Sequence, residues 1–196
     1  MSTLEITSNV IFVTIVFTNK YIVIYWLGMD KSAKSLFEKM YTTQVDKIYR
    51  FVFFRVGNNK EAAEDLTSEV FLRALEYFDS YDSTKSQSAW LMTIAKNCLV
   101  DYYKKQKHNV SLEAAMADDE DSNKVDRLLF AVAKENFAKA GFNLEIMEKL
   151  ATLSENDREI VTFHYLYGYS YLEIAQMREM SETAVKVAAH RALKKI

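Results

Sequence analysis

From residue 32 onward, apolar positions recur at helical spacing along almost the whole chain. Leu36, Phe37, Met40, Val45, Ile48, Tyr49, Val52 and Phe53 trace a first helix or helix pair that ends at Gly57-Asn58-Asn59. A second helix is predicted from about residue 60 to 78, burying Ala62 or Ala63, Leu66, Val70, Ala74 and Phe78. The turn formers of DSYDSTKSQS follow. A third helix then carries Trp90, Ile94, Cys98 and Tyr102 four apart, with Leu91, Ala95 and Leu99 beside them. Residues 106–123 lose this rhythm and hold Asp118-Asp119-Glu120-Asp121, the pattern of a flexible linker. A short helix is predicted over 124–140, with Val125, Leu128, Leu129, Val132 and Phe137 inward, stopping at Gly141. Residues 144–196 form a last unit of three or four helices. The expected fold is all-α, with two small helical domains (29–107 and 143–196) joined by a flexible acidic linker (108–142).

Within the last unit, Ser170 and Glu173 have capping-box spacing, and Leu172, Ile174, Ala175 and Met177 supply the apolar side of a short helix. Arg178-Glu179-Met180 is a brief connector. Ser181 caps the next helix, whose inward positions are Val185, Ala188 or Ala189, Ala192 and Ile196. Two short helices on a tight turn, the second basic, fit a helix-turn-helix; a plain helical hairpin fits the same pattern.

The first 28 residues differ. Residues 10–27, VIFVTIVFTNKYIVIYWL, approach the length of a membrane span, but Asn19-Lys20 falls in the middle, and no cleavage site marks a signal peptide. Met29 opens an ordinary amphipathic segment. The preferred expectation is that translation begins at Met29, with a weak membrane anchor or hydrophobic hairpin as the second reading.

Composition narrows the class. None of the 196 residues is proline and only four are glycine, which favours long helices over turn-rich sheets. The single cysteine, Cys98, permits no intramolecular disulfide and suits a reducing cytoplasm. The formal net charge of −2 does not itself point to nucleic acid, but its distribution is uneven. Residues 85–107 hold five lysines against Asp101, a net of +4. Residues 186–196 hold Lys186, Arg191, Lys194 and Lys195 with no acid, again +4. The stretch 111–127 between them carries six acids against two cations, a net of −4. Two polyanion contacts spaced by a linker explain this pattern, and so do two solvated helix ends whose cations complement the macrodipole.

No catalytic constellation emerges, so no enzyme activity, cofactor or metal is expected. His108, His164 and His190 lie far apart without metal-ligand spacing to Cys98, and no glycine-rich phosphate loop exists. Glu61, Asp65 and Glu69 line one polar helix face, either solvated or binding protein.

Three segments together resemble the bacterial RNA polymerase sigma factors of the extracytoplasmic-function (ECF) group, which keep only regions 2 and 4. AAEDLTSEVFLRALEYFDSYD (62–82) and SAWLMTIAKNCLVDYYKKQK (88–107) are similar to region 2, and residues 150–196 to region 4. The resemblance implies a cytoplasmic transcription factor that binds core RNA polymerase, directs it to −10 and −35 promoter DNA and helps melt it. It further suggests an anti-sigma factor as partner, and no small-molecule substrate. It places Asp65, Ser68, Glu69 and Leu72 against polymerase, and Asn97 on an unstacked −10 base supported by Lys96, Tyr103, Lys104 and Lys105. In region 4 it places Thr183, Lys186, His190, Arg191 and Lys194 on −35 DNA. Trp90 and Tyr102, on the apolar stripe, are expected in the core.

The chain departs from the family pattern at two places. Val187-Ala188 stands where a small polar residue and an arginine are common, which shifts promoter choice toward the −10 side or toward −35 shape. Glu179 stands where glycine is frequent, at a cost of about 1 kcal/mol if that residue takes a positive φ. The competing readings are a helix-turn-helix regulator with a sensing N-terminal domain, and a helical adaptor that binds protein alone.

Overall fold

The computed structural model describes residues 26, 28–105, 127, 129–134 and 145–196. The expectations for the hydrophobic leader and for most of the linker lie outside them. Among the described residues the regular elements are all helical.

Helix α1 spans Lys31–Arg55, a single 25-residue helix where the apolar pattern allowed one or two. Asp30 starts it, its carboxylate accepting from the backbone N–H groups of Ser32 and Ala33 at 2.7 and 2.9 Å. The chain reverses where Gly57 and Asn58 both take positive φ, 70° and 61°, a conformation that glycine and asparagine tolerate best. Asn59 then caps α2, Lys60–Glu76, by accepting from Ala62 N at 3.1 Å. A 3₁₀ turn, Phe78–Ser80, leads through the polar loop to α3, Gln87–Lys105.

These three helices close around Phe37, Met40, Tyr41, Ile48, Val52, Val70, Phe71, Leu75, Leu91 and Leu99, all buried. Tyr41 meets Phe71 edge-on at 4.8 Å between ring centroids, and Phe37 meets Phe78 at 5.3 Å. Each such apolar side chain contributes about 1.5–3 kcal/mol by leaving water.

The C-terminal unit comprises α4 (Glu145–Thr152), α5 (Glu155–Val161), a π-helical turn (Thr162–Leu166), α6 (Tyr171–Arg178) and α7 (Glu182–Leu193). Residues 129–134 are helical too, and their buried Ala133 joins Met147, Leu150, Leu153, Val161 and Ala192 in a small second core.

The larger core runs on from α1 into this unit. Tyr167 sets its ring edge-on against Phe51 at 5.4 Å and Phe54 at 6.0 Å, and it bonds the Arg55 guanidinium at 2.8 Å. Next to it, Gly168 has φ 84°, and a Cβ there would come within 2.8 Å of Arg50 Nη1. The positive φ favours glycine at that point, whereas the Arg50 guanidinium, the far end of a flexible side chain, can move aside for a Cβ. One turn further along, Glu173 meets Gln44, Lys47 and Ser88.

Candidate nucleic-acid interface

Helix α3 presents two faces. Leu91, Met92, Ala95, Cys98, Leu99 and Tyr103 are buried, while Asn97, Lys104 and Lys105 are exposed and Lys96 is half-buried. The inner stripe is therefore rotated from the one the four-residue spacing suggested. Trp90, Ile94 and Tyr102 sit at its edge, half-buried, with Trp90 packed on Tyr81 at 4.8 Å.

This rotation corrects the expectation for Tyr103. Its ring is only 8% exposed and its hydroxyl donates to the backbone carbonyl of Arg55, so it closes the end of α1 instead of facing solvent. Tyr102, 5.2 Å away between ring centroids, keeps the more open position. Adjacent tyrosines at a helix end give no sequence signal for which one turns inward. The choice depends on where α1 stops.

On α2 the expected protein-binding residues share the outward side: Asp65 is exposed, and Ser68, Glu69 and Leu72 are half-buried. Glu69 pairs with Arg73 at 2.5 Å, and Arg73 also reaches Asp101 of α3 at 2.8 Å. The acidic stripe thus includes one carboxylate already engaged in joining α2 to α3. Asp65 has no such tie to α3 in its surroundings and stands at the surface.

The helix-turn-helix is formed by α6 and α7. Ser170 Oγ accepts from Glu173 N at 3.2 Å while Glu173 Oε2 accepts from Ser170 N at 2.9 Å, the reciprocal capping box expected from the spacing. Glu179 ends α6 in the left-handed region at φ 53°. Ser181 caps α7 through Ala184 N at 3.2 Å.

Val185, Ala188, Ala189 and Ala192 seat α7 on the core, and Thr183, Lys186, His190, Arg191 and Lys194 all lie on its exposed side. Two of these cations have internal partners. Lys186 pairs with Glu182 at 2.6 Å, and Arg191 bonds Asp157 at 2.7 Å. Lys195 reaches the other oxygen of Asp157 at 3.1 Å. Burial works against the Asp157 charge, but the bonds from Arg191, Lys195 and Ser154 outweigh it and hold the carboxyl below its ordinary range. Asp157 therefore clamps the C-terminal end of α7 to α5, which the sequence reading missed because its partners lie 34 and 38 residues away.

Among the described residues no cluster of His, Cys, Asp and Glu could hold a metal ion, and no helix is long and apolar enough to cross a membrane. The arrangement offers three presenting surfaces: an acidic one on α2, a polar and cationic end on α3, and a basic helix face on α7.

Comparison with known proteins agrees with this layout. Residues 40–109 match the family model for Sigma-70 region 2, and residues 143–196 match that for Sigma-70, region 4. The chain is 32% identical over 159 residues to the ECF RNA polymerase sigma factor BldN of Streptomyces coelicolor, covering 81% of this chain and 58% of that protein. It is 29% identical to ECF sigma factor SigX of Bacillus subtilis, covering 81% of this chain and 80% of SigX. Against SigM of the same organism the identity is 28%, over 81% of this chain and 91% of SigM. With regions 2 and 4 matched in order and ECF relatives spanning both, the chain belongs to the ECF group of RNA polymerase sigma factors, acting in transcription initiation.

Proposed function

We propose that this chain binds core RNA polymerase through the outward side of α2, with Asp65, Ser68, Glu69 and Leu72 in the contact. The end of α3 then engages the −10 element. Asn97 is exposed there and carries both a donor and an acceptor, suited to the edge of an unstacked base. Lys96, Lys104 and Lys105 follow the phosphates. Helix α7 enters the major groove of the −35 element, with Thr183 and His190 toward base edges and Lys186, Arg191 and Lys194 toward phosphates.

The observation that carries this reading is the division of α7. Val185, Ala188, Ala189 and Ala192 face the core, while Thr183, Lys186, His190 and Arg191 face out. A helical adaptor has no need for that face, and a one-site regulator has no need for the cationic end of α3. An anti-sigma factor that occludes these surfaces, and a cytoplasmic location, complete the proposal. Members of this family are generally not enzymes.

The test is run-off transcription from genomic fragments with core polymerase, with and without the protein. New start sites that require the protein, and co-purification with core, are expected. Absence of both would overturn the proposal.

A further inference from the structure

Within the basic face of α7, Val187 is out of character. It is 61% exposed, the most exposed large apolar side chain of the described residues. Isolated exposed valines are common on protein surfaces, and its position is what distinguishes this one. It is the sixth residue of Glu182–Leu193, in the half of a recognition helix that meets base edges. Thr183 lies four residues before it and Ala184 three before, both exposed, so one side of α7 presents a short strip of methyl groups. Lys186 and His190 border this strip. The neighbouring Ala188 is 5% exposed and packed inward, so its small size leaves no gap at the DNA-facing surface.

Hydrogen-bonding groups on this face are few, and Lys186 and Arg191 already have carboxylate partners. In the major groove the one apolar group by which bases differ is the 5-methyl of thymine. We infer that Val187, assisted by Ala184, selects a thymine in the −35 element by burying that methyl group. Base reading by α7 is then retained, through apolar contact at this position in place of a hydrogen bond. This inference rests on the proposed placement of α7 on −35 DNA.

The experiment uses the full chain with core polymerase on a promoter fragment found by run-off transcription. Each thymine of the −35 element is replaced in turn by deoxyuridine, which removes only the methyl. At one position the wild-type complex should weaken about three- to fivefold, the effect of losing one buried methyl. Val187→Ala should weaken binding to the unmodified fragment by a similar factor and become insensitive to deoxyuridine at that same position. Alanine favours the helix at this exposed site, so folding is kept. If no thymine is sensitive, or if Val187→Ala stays as sensitive as wild type, the inference is overturned while the placement of α7 stands. If the −35 region is not protected at all, the placement itself fails and the inference with it.

Discussion

The ammonium of Lys47 lies 2.5 Å from Glu173 Oε1, across 126 residues of chain, tying the middle of α1 to the carboxylate that caps α6. The same oxygen is 3.2 Å from Gln44 Nε2 and from Ser88 Oγ, while the other oxygen serves the capping box. Lys47 also lies over the Tyr169 ring, 5.2 Å from its centroid. One side chain thus performs two tasks, starting the helix-turn-helix and joining it to the N-terminal helices.

That position makes the fold acid-sensitive. Burial pushes the Glu173 carboxyl up, but bonds from Lys47, Ser170 and Gln44 prevail and lower it to about 2. A carboxylate with a depressed folded-state pKa contributes stability that is complete above its unfolded value, near 4.5, and is lost as pH falls toward 2. Because the side chain keeps about 20% of its surface in water, the contribution is about 1–2 kcal/mol after screening. Urea unfolding between pH 7 and pH 3 should show this loss. Glu173→Gln should lower stability at pH 7 and flatten the profile. An unchanged profile would show that other carboxylates govern the acid limb.

Glu179 closes α6 with φ 53°, where a side chain is strained. Glu179→Gly should raise stability by about 0.5–1 kcal/mol, read as a shift in urea midpoint without change of slope. A loss of stability would mean that the glutamate side chain makes a compensating contribution.

Tyr103→Phe separates a structural role from a DNA role. Removing the hydroxyl that serves the buried Arg55 carbonyl should cost about 1–2 kcal/mol of stability. Binding of a −10 single strand by the holoenzyme should be unchanged. Asn97→Ala should do the reverse, weakening −10 capture and leaving the unfolding midpoint in place.

Cys98 is 1% exposed, and burial pushes its thiol up to about 12. A thiol held this far from ionisation reacts slowly. Labelling by a thiol reagent at pH 8 should therefore follow the unfolding curve, with native protein inert. Fast labelling in the native state would place Cys98 on an opening surface.

The apolar spacing alone determined α1, α2 and α3 and their approximate ends, because burial of one face repeats every three to four residues and leaves a local signature. The capping box at Ser170 and Glu173, the Ser181 cap and the basic character of α7 were legible for the same reason, since caps and faces depend on neighbours in sequence. Asn97, by contrast, was singled out only by the family resemblance. Three features were settled only when distant segments met. Which of Tyr102 and Tyr103 turns inward depends on where α1 ends, at Arg55. The buried carboxylate of Asp157 acquires its meaning from Arg191 and Lys195. Gln44 and Lys47, polar residues on a core helix, find their partner in Glu173. Polar burial is tolerated only where a partner arrives to satisfy it, and that arrival is a property of the tertiary structure.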